Sequence, residues 1–232
     1  MSLDRLEAAP FTRALAFVGL VAPTEALPAR VLALDLIERM LIATFYGGFV
    51  WHMLLQYSGM PDMSSMLIVV SEALPFLFVM TRAPSASLSR HPFDWTVAVL
   101  ATVSPLLVQP ERNAAGALGP VALAYGVMLF GLCFQIAAKV VLGRRFGIVA
   151  ANRGVRDMGP YRFVRHPMYA GYTLTHIGFL LAMPSLMNAG IYAFGLVLQI
   201  VRIDREERVL MRDPAYRAFA ARVRYRILPG IY

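Results

Sequence analysis

The sequence predicts an all-α, polytopic integral-membrane helical bundle of about six spans, closing with a C-terminal helical hairpin and a cytoplasmic amphipathic helix. Three observations lead there. Hydrophobic residues make up 58% of the 232 and charged residues 16%, against about 45–50% and about 25% in soluble domains. The mean hydropathy is +0.59, and a soluble globule of this kind would expose apolar patches that drive aggregation. The apolar residues also gather into long runs separated by arginine-bearing loops. This composition excludes disorder, and glycines without a period exclude a collagen-like repeat. A disulfide scaffold is excluded by a single cysteine, Cys133, which lies in an apolar run and reads as packing.

The expected spans are 35–57, 64–81, 93–108, 118–142, 168–183 and 186–201. The first and fourth are long enough to cross about 30 Å of hydrocarbon with some tilt. At about 24 Å as helix, 93–108 and both members of the last pair fall short. That pair therefore reads as a tight hairpin around Pro184–Asn188 that spans only by borrowing flanking residues. Upstream, Phe11–Ala22 is too short to span and carries Arg13; it reads as an interfacial helix, with Asp4 and Glu7 arguing against a cleaved leader. Trp51, Tyr57 and Trp95 fall toward span ends, where amphipathic rings favour the interface. Spans one to three are expected to carry few polar groups. Glu72 is the main exception, read as protonated or paired inside the bundle, and His52 is a lesser one. No linker divides residues 1–117 from 118–232, so the two halves form one continuous membrane domain of contrasting character.

The net charge of +8 rests on 21 arginines and one lysine. Their placement follows the loops, which points to membrane orientation and an anion site rather than to nucleic acid. Arg144, Arg145, Arg153, Arg156, Arg162 and Arg165 share the fourth loop, and eight arginines lie from 202 onward, whereas the opposite loops hold Arg112 alone. Both termini are expected on the cytoplasmic side.

Two stretches on that side crowd polar groups. In Gly159–Gly171, Pro167 disfavours helix at His166 and suits the first helical position, so the first-turn amides face the cytoplasm beside Arg165 and His166. That arrangement suits an anionic or polar ligand group; the plain alternative is a positively charged loop capping a helix with a buried histidine. Gly171 and Gly178, seven apart, would let a ligand or a helix approach the backbone. In the second stretch, Arg202–Leu210, Arg202 can pair with Glu206 and Asp204 with Arg208. Glu206 and Glu207 make an acidic point within a basic surface, able to bind an ammonium or ribose hydroxyls; the bland account is a salt-bridged helix leaving the membrane. The tail beyond reads as an amphipathic basic segment folding back on the membrane surface.

No glycine-rich dinucleotide fingerprint and no nucleophile-elbow motif appears. The histidines at 52, 91, 166 and 176 lack metal-ligand spacing, so no metal is expected.

At these residues the sequence resembles the integral-membrane methyltransferases typified by isoprenylcysteine carboxyl methyltransferase, with phospholipid N-methyltransferases as relatives. The resemblance runs over about 118–232: Leu142-Gly143-Arg144-Arg145-Phe146, then Gly159 to Gly171 with Arg165-His166-Pro167 and Tyr169, then Arg202 to Leu210 with Glu206-Glu207, Tyr216, and Arg226 to Pro229. It implies a helical bundle that binds S-adenosyl-L-methionine in a cytoplasm-facing pocket, with a lipophilic acceptor entering from the bilayer. Carried over by position, Tyr161, Arg165, His166, Pro167, Tyr169, Gly171, Glu206 and Glu207 would bind the cofactor. Arg202 and Glu206 would be catalytic, Arg202 standing where cofactor and acceptor meet. One departure is that Gln135 stands where the prenylcysteine enzymes carry a basic residue, with Lys139 one turn later. Two other readings are an NADPH-dependent membrane sterol-type reductase, which shares a similar C-terminal half, and a non-catalytic membrane scaffold.

Overall fold

The computed structural model describes residues 28–56, 73–85, 87–108 and 116–232. The expected interfacial stretch 11–22, Tyr57, Glu72 and the loop carrying Arg112 lie outside the described residues, as does the side chain of His52. Among the described residues the secondary structure is helical throughout, with no strand: α1 (Ala29–Gln56), α2 (73–81), α3 (Pro92–Val103), α4 (Val121–Leu142), α5 (Pro167–Ala182), α6 (Leu186–Leu210) and α7 (Pro214–Arg222).

Local sequence sets most of the boundaries. Pro92, Pro167 and Pro214 occupy the first turns of α3, α5 and α7, where a missing N–H costs nothing. Asp213 caps α7 by accepting from the Ala215 amide, and Ser185 caps α6 by accepting from that of Asn188. Gly143, at φ +54°, ends α4 in a conformation that side chains with a Cβ rarely adopt.

Two helical stretches among the described residues are long and apolar enough to cross a membrane: Val121–Arg145 and Leu186–Leu210. The first matches the fourth expected span. The second corrects the expectation that a short arm ends at 201, because α6 runs unbroken through the charged Arg202–Leu210 motif. It thus carries the acidic pair on the end of an apolar helix. α5 starts at Pro167 as expected and is 16 residues long. α3 continues as a 3₁₀ turn over Ser104–Leu107, where Pro105 interrupts the α-helical ladder.

The tightest packing is between α4 and α5, and glycine permits it. A Cβ on Gly171 would meet the Gln135 backbone nitrogen at 2.7 Å, and one on Gly178 the Met128 nitrogen at 2.5 Å. At both glycines it is a helix, α4, that makes the close approach. The outward face of α4 exposes Leu123, Phe130 and Cys133, so Cys133 is not the packed residue its surroundings suggest.

The N-terminal helices bring a larger correction. α1 begins at 29, and Asp35, Glu38 and Arg39 within it are all buried. The Arg39 guanidinium donates to Asp35 (2.6 Å) and to the carbonyls of Val79 (2.7 Å), Met80 (2.9 Å) and Arg82 (2.7 Å), satisfying the open end of α2. Arg82, wholly buried, pairs with Asp35 (2.8 Å) and Glu38 (2.5 Å). The first expected span therefore carries a charge network rather than few polar groups. Around it, Ile42, Val79, Ala138, Phe146, Ile148 and Phe219 belong to one apolar core joining both halves of the chain.

Candidate active site

Four pieces of chain converge: the 143–166 loop, the start of α5, the end of α6, and α7 with its tail. Pro167 keeps His166 out of the helix at φ −125°, ψ 60°. The Arg165 and His166 amides then donate to the carbonyls of Tyr225 (2.9 Å) and Arg226 (2.8 Å). The tail is held against the loop by these bonds. Past nine residues of α7 it is not helical.

On α6, Glu206 and Glu207 project about 100° apart and serve different partners. Glu207 Oε1 contacts His166 Nε2 (2.9 Å) and accepts from the Tyr216 hydroxyl (2.8 Å), while its Oε2 pairs with Arg165 (3.1 Å). Glu206 Oε1 accepts from the Tyr169 hydroxyl (2.7 Å) and from Arg202 Nε (3.2 Å). Its Oε2 is 3.7 Å from His166 Nδ1. Arg202 also donates to the Gly147 carbonyl (3.3 Å), and its guanidinium stands 5.3 Å from the Tyr169 ring centroid. Both expected i, i+4 pairs on α6 form; Asp204–Arg208 is solvent-exposed at 2.7 Å.

Beside this lattice opens a small cleft of about 100 Å³. Of the sequence-predicted residues, Tyr161, Arg165, His166, Tyr169 and Glu206 line it. Glu207 and Arg202 stand behind, holding residues that do. Pro167 acts by directing the chain, and Gly171 faces Gln135 on α4. The wall also includes Arg145, Arg153, Arg156 and Met168, which sequence reasoning took only as loop charges or passed over. Tyr216, named in the motif but not placed in the site, both lines the cleft and bonds Glu207.

The electrostatics are those of a cationic wall with one acidic spot. Burial, and then Glu38 acting against it, sets the Arg153 guanidinium at about 10, still charged at neutral pH. Burial and the nearby carboxylates push the Tyr161 and Tyr216 phenols well above their ordinary range, so both stay neutral donors. Among the described residues, Arg145 Nη1 and Arg153 Nε are buried without a hydrogen-bond partner; such donors suit an anionic group. On α4, Lys139 is buried with its ammonium 5.1 Å from the Tyr172 ring centroid, and Gln135 is buried one turn earlier.

Residues 117–216 match the family model for phospholipid methyltransferase. The match covers a little under half of the chain and shows a likeness to that family, one of membrane methyltransferases, over this segment. The matched segment spans α4 to the start of α7 and holds every sequence-predicted site residue. No curated protein matches the chain.

Proposed function

We propose that the protein is an S-adenosyl-L-methionine-dependent methyltransferase acting on a lipophilic acceptor that enters from the bilayer, with the cleft and both termini on the cytoplasmic side. The observation that carries this reading is the pairing, in one cleft of a segment similar to the phospholipid methyltransferases, of unpartnered arginine donors with the Glu206 carboxylate. A methionine-derived zwitterion needs both signs: Arg145 and Arg153 would take its carboxylate, and Glu206 its ammonium or the ribose hydroxyls. Apolar residues such as Val149, Val155 and Met168 would receive the adenine.

The bound group supplies an electrophilic methyl on a sulfonium, and in-line displacement asks the protein chiefly for position and dryness. Tyr169 and Arg202 hold Glu206 in place; the resemblance implies that Arg202 serves where donor and acceptor meet, and from behind the cleft it would act there through Glu206. The buried Tyr161 and Tyr216 keep water from the wall. For an amine acceptor, Glu206 would remove the proton; a carboxylate or thiolate acceptor needs no base.

Calorimetric titration of the detergent-purified protein with S-adenosylhomocysteine and with NADPH tests this. Saturable S-adenosylhomocysteine binding, weakened at least about tenfold (~1.4 kcal/mol) in Glu206→Ala and His166→Ala, is the expected result. Binding of NADPH alone would replace the proposal with a reductase. Binding of neither by folded protein would replace it with a scaffold.

A further inference from the structure

Glu38 lies far from the family-matched segment in sequence, is wholly buried, and divides its two oxygens between two tasks. Oε1 accepts from the Ile148 amide (2.7 Å) and the Val149 amide (2.9 Å), the nearer of them 110 residues away in sequence. Oε2 accepts from Arg82 (2.5 Å) and from Arg153 Nη2 (2.9 Å). One carboxylate thus grips both ends of the segment 147–153, and that segment gives Gly147, Val149, Ala151 and Arg153 to the cleft wall.

The grip is itself held. Arg82 is fixed by Asp35 and donates to the Phe146 carbonyl (2.8 Å), just ahead of the gripped segment. On the opposite side the segment accepts from Arg202 through the Gly147 carbonyl, and Arg202 holds Glu206. A continuous set of contacts therefore runs from α1, through the wall, to the acid of the cleft. The amides at 148 and 149 are buried groups that must be satisfied, and the acceptor comes from the N-terminal helix. A carboxylate suits the place because two guanidinium groups converge on its other oxygen.

We infer that Glu38 is a positioning residue for the cleft: it holds 147–153 in the form that presents Arg153 and the apolar wall to the methyl donor, so that the N-terminal helices set donor affinity. The inference rests on the donor reading of the cleft given above. It also gives α1 and α2 a task that the family match, confined to 117–216, leaves open.

The test uses the full chain as wild type, Glu38→Gln, Glu38→Asp and, as a control at the far end of α6, Ser185→Ala. Hydrogen exchange of peptides over 143–158 is followed without ligand, and S-adenosylhomocysteine is titrated calorimetrically. Glu38→Gln keeps size and one acceptor oxygen but cannot neutralise Arg82 and Arg153. It is expected to speed exchange over 146–153 while α5 and α6 stay protected, and to weaken binding about tenfold. Glu38→Asp falls between, and carries the test should Glu38→Gln not fold; Ser185→Ala changes neither readout. Unchanged exchange and binding in a folded Glu38 variant, or faster exchange spread evenly over the chain, would overturn the inference. A wild type that binds no S-adenosylhomocysteine would refute the donor reading instead, and the exchange arm alone would then decide whether Glu38 orders the wall.

Discussion

His166 Nε2 and Glu207 Oε1 meet at 2.9 Å across the helical hairpin, 41 residues apart in sequence. The same carboxylate binds Tyr216 on α7 and Arg165 beside the tail, so loop, α6, α7 and tail are tied at one buried acid. Glu206, the adjoining residue, instead faces the cleft. Adjacent acids on one helix thus divide the work, Glu207 holding protein and Glu206 facing the cleft.

That division predicts unequal variants. Glu207→Ala leaves Arg165 and the Tyr216 hydroxyl buried without their acceptor, a change that costs about 3–5 kcal/mol for a broken buried pair. Glu206→Ala removes a partly accessible acid that lines the cleft; its partners Tyr169 and Arg202 are buried, but Arg202 keeps the Gly147 carbonyl, so the variant should fold with the smaller loss. Thermal unfolding in detergent with S-adenosylhomocysteine titration separates them: Glu207→Ala should lose the fold first, Glu206→Ala the binding first. Equal losses in both readouts would refute the division.

How much of this was legible in sequence depends on where the partner of each residue lies. The α5 start at Pro167 and both pairs on α6 follow local rules, and the structure has them. The cleft residues Tyr161, Arg165, His166, Tyr169 and Glu206 come through the resemblance to a known family, matched position by position. Arg145 and Arg153 went unassigned because loop arginines look alike until a fold shows which are buried. Asp35 and Glu38 were passed over although acids three apart beside Arg39 in an apolar helix are a local signal of internal pairing. Their partners, Arg82 and the 148–149 amides, are brought near only by the fold.

The α4–α5 contact predicts opposite signs for two glycine substitutions. A Cβ at Gly178 would meet backbone atoms of Met128 and Ala124 at 2.5–2.8 Å. Backbone cannot swing aside as a side chain does, so Gly178→Ala should force the helices apart and cost about 1–3 kcal/mol. Gly126, in the same α4, has nothing within 4 Å of its would-be Cβ, and Gly126→Ala should gain about 0.5–1 kcal/mol from helix propensity. Melting temperatures of the two variants check this; a neutral Gly178→Ala would mean the helices are not in backbone contact there.

Asp213 predicts a pH dependence. Its carboxylate accepts from the Asn152 side chain and the Ala215 amide, both at 2.8 Å, and these bonds hold it below the usual carboxylate range. A depressed folded-state value means the contribution is present above the unfolded value of about 3.9 and is lost as pH falls through the folded one. Between about pH 5 and pH 3 the wild type should therefore lose more stability than Asp213→Asn. Parallel melting curves across that window would show that the loop–α7 link contributes nothing.

Arg202 separates positioning from chemistry. Its guanidinium reaches Glu206 and the Gly147 carbonyl at once while lying over Tyr169, and a single lysine ammonium cannot span both. Arg202→Lys keeps the buried charge, so the fold should persist and S-adenosylhomocysteine affinity should drop by less than about tenfold. Transfer requires more, because the acid and the wall must be aligned when the acceptor attacks. Incorporation of labelled methyl into bilayer lipid should therefore fall by about a hundredfold. Equal losses of binding and incorporation would reduce Arg202 to a support for the donor site, and unchanged incorporation would remove it from the reaction.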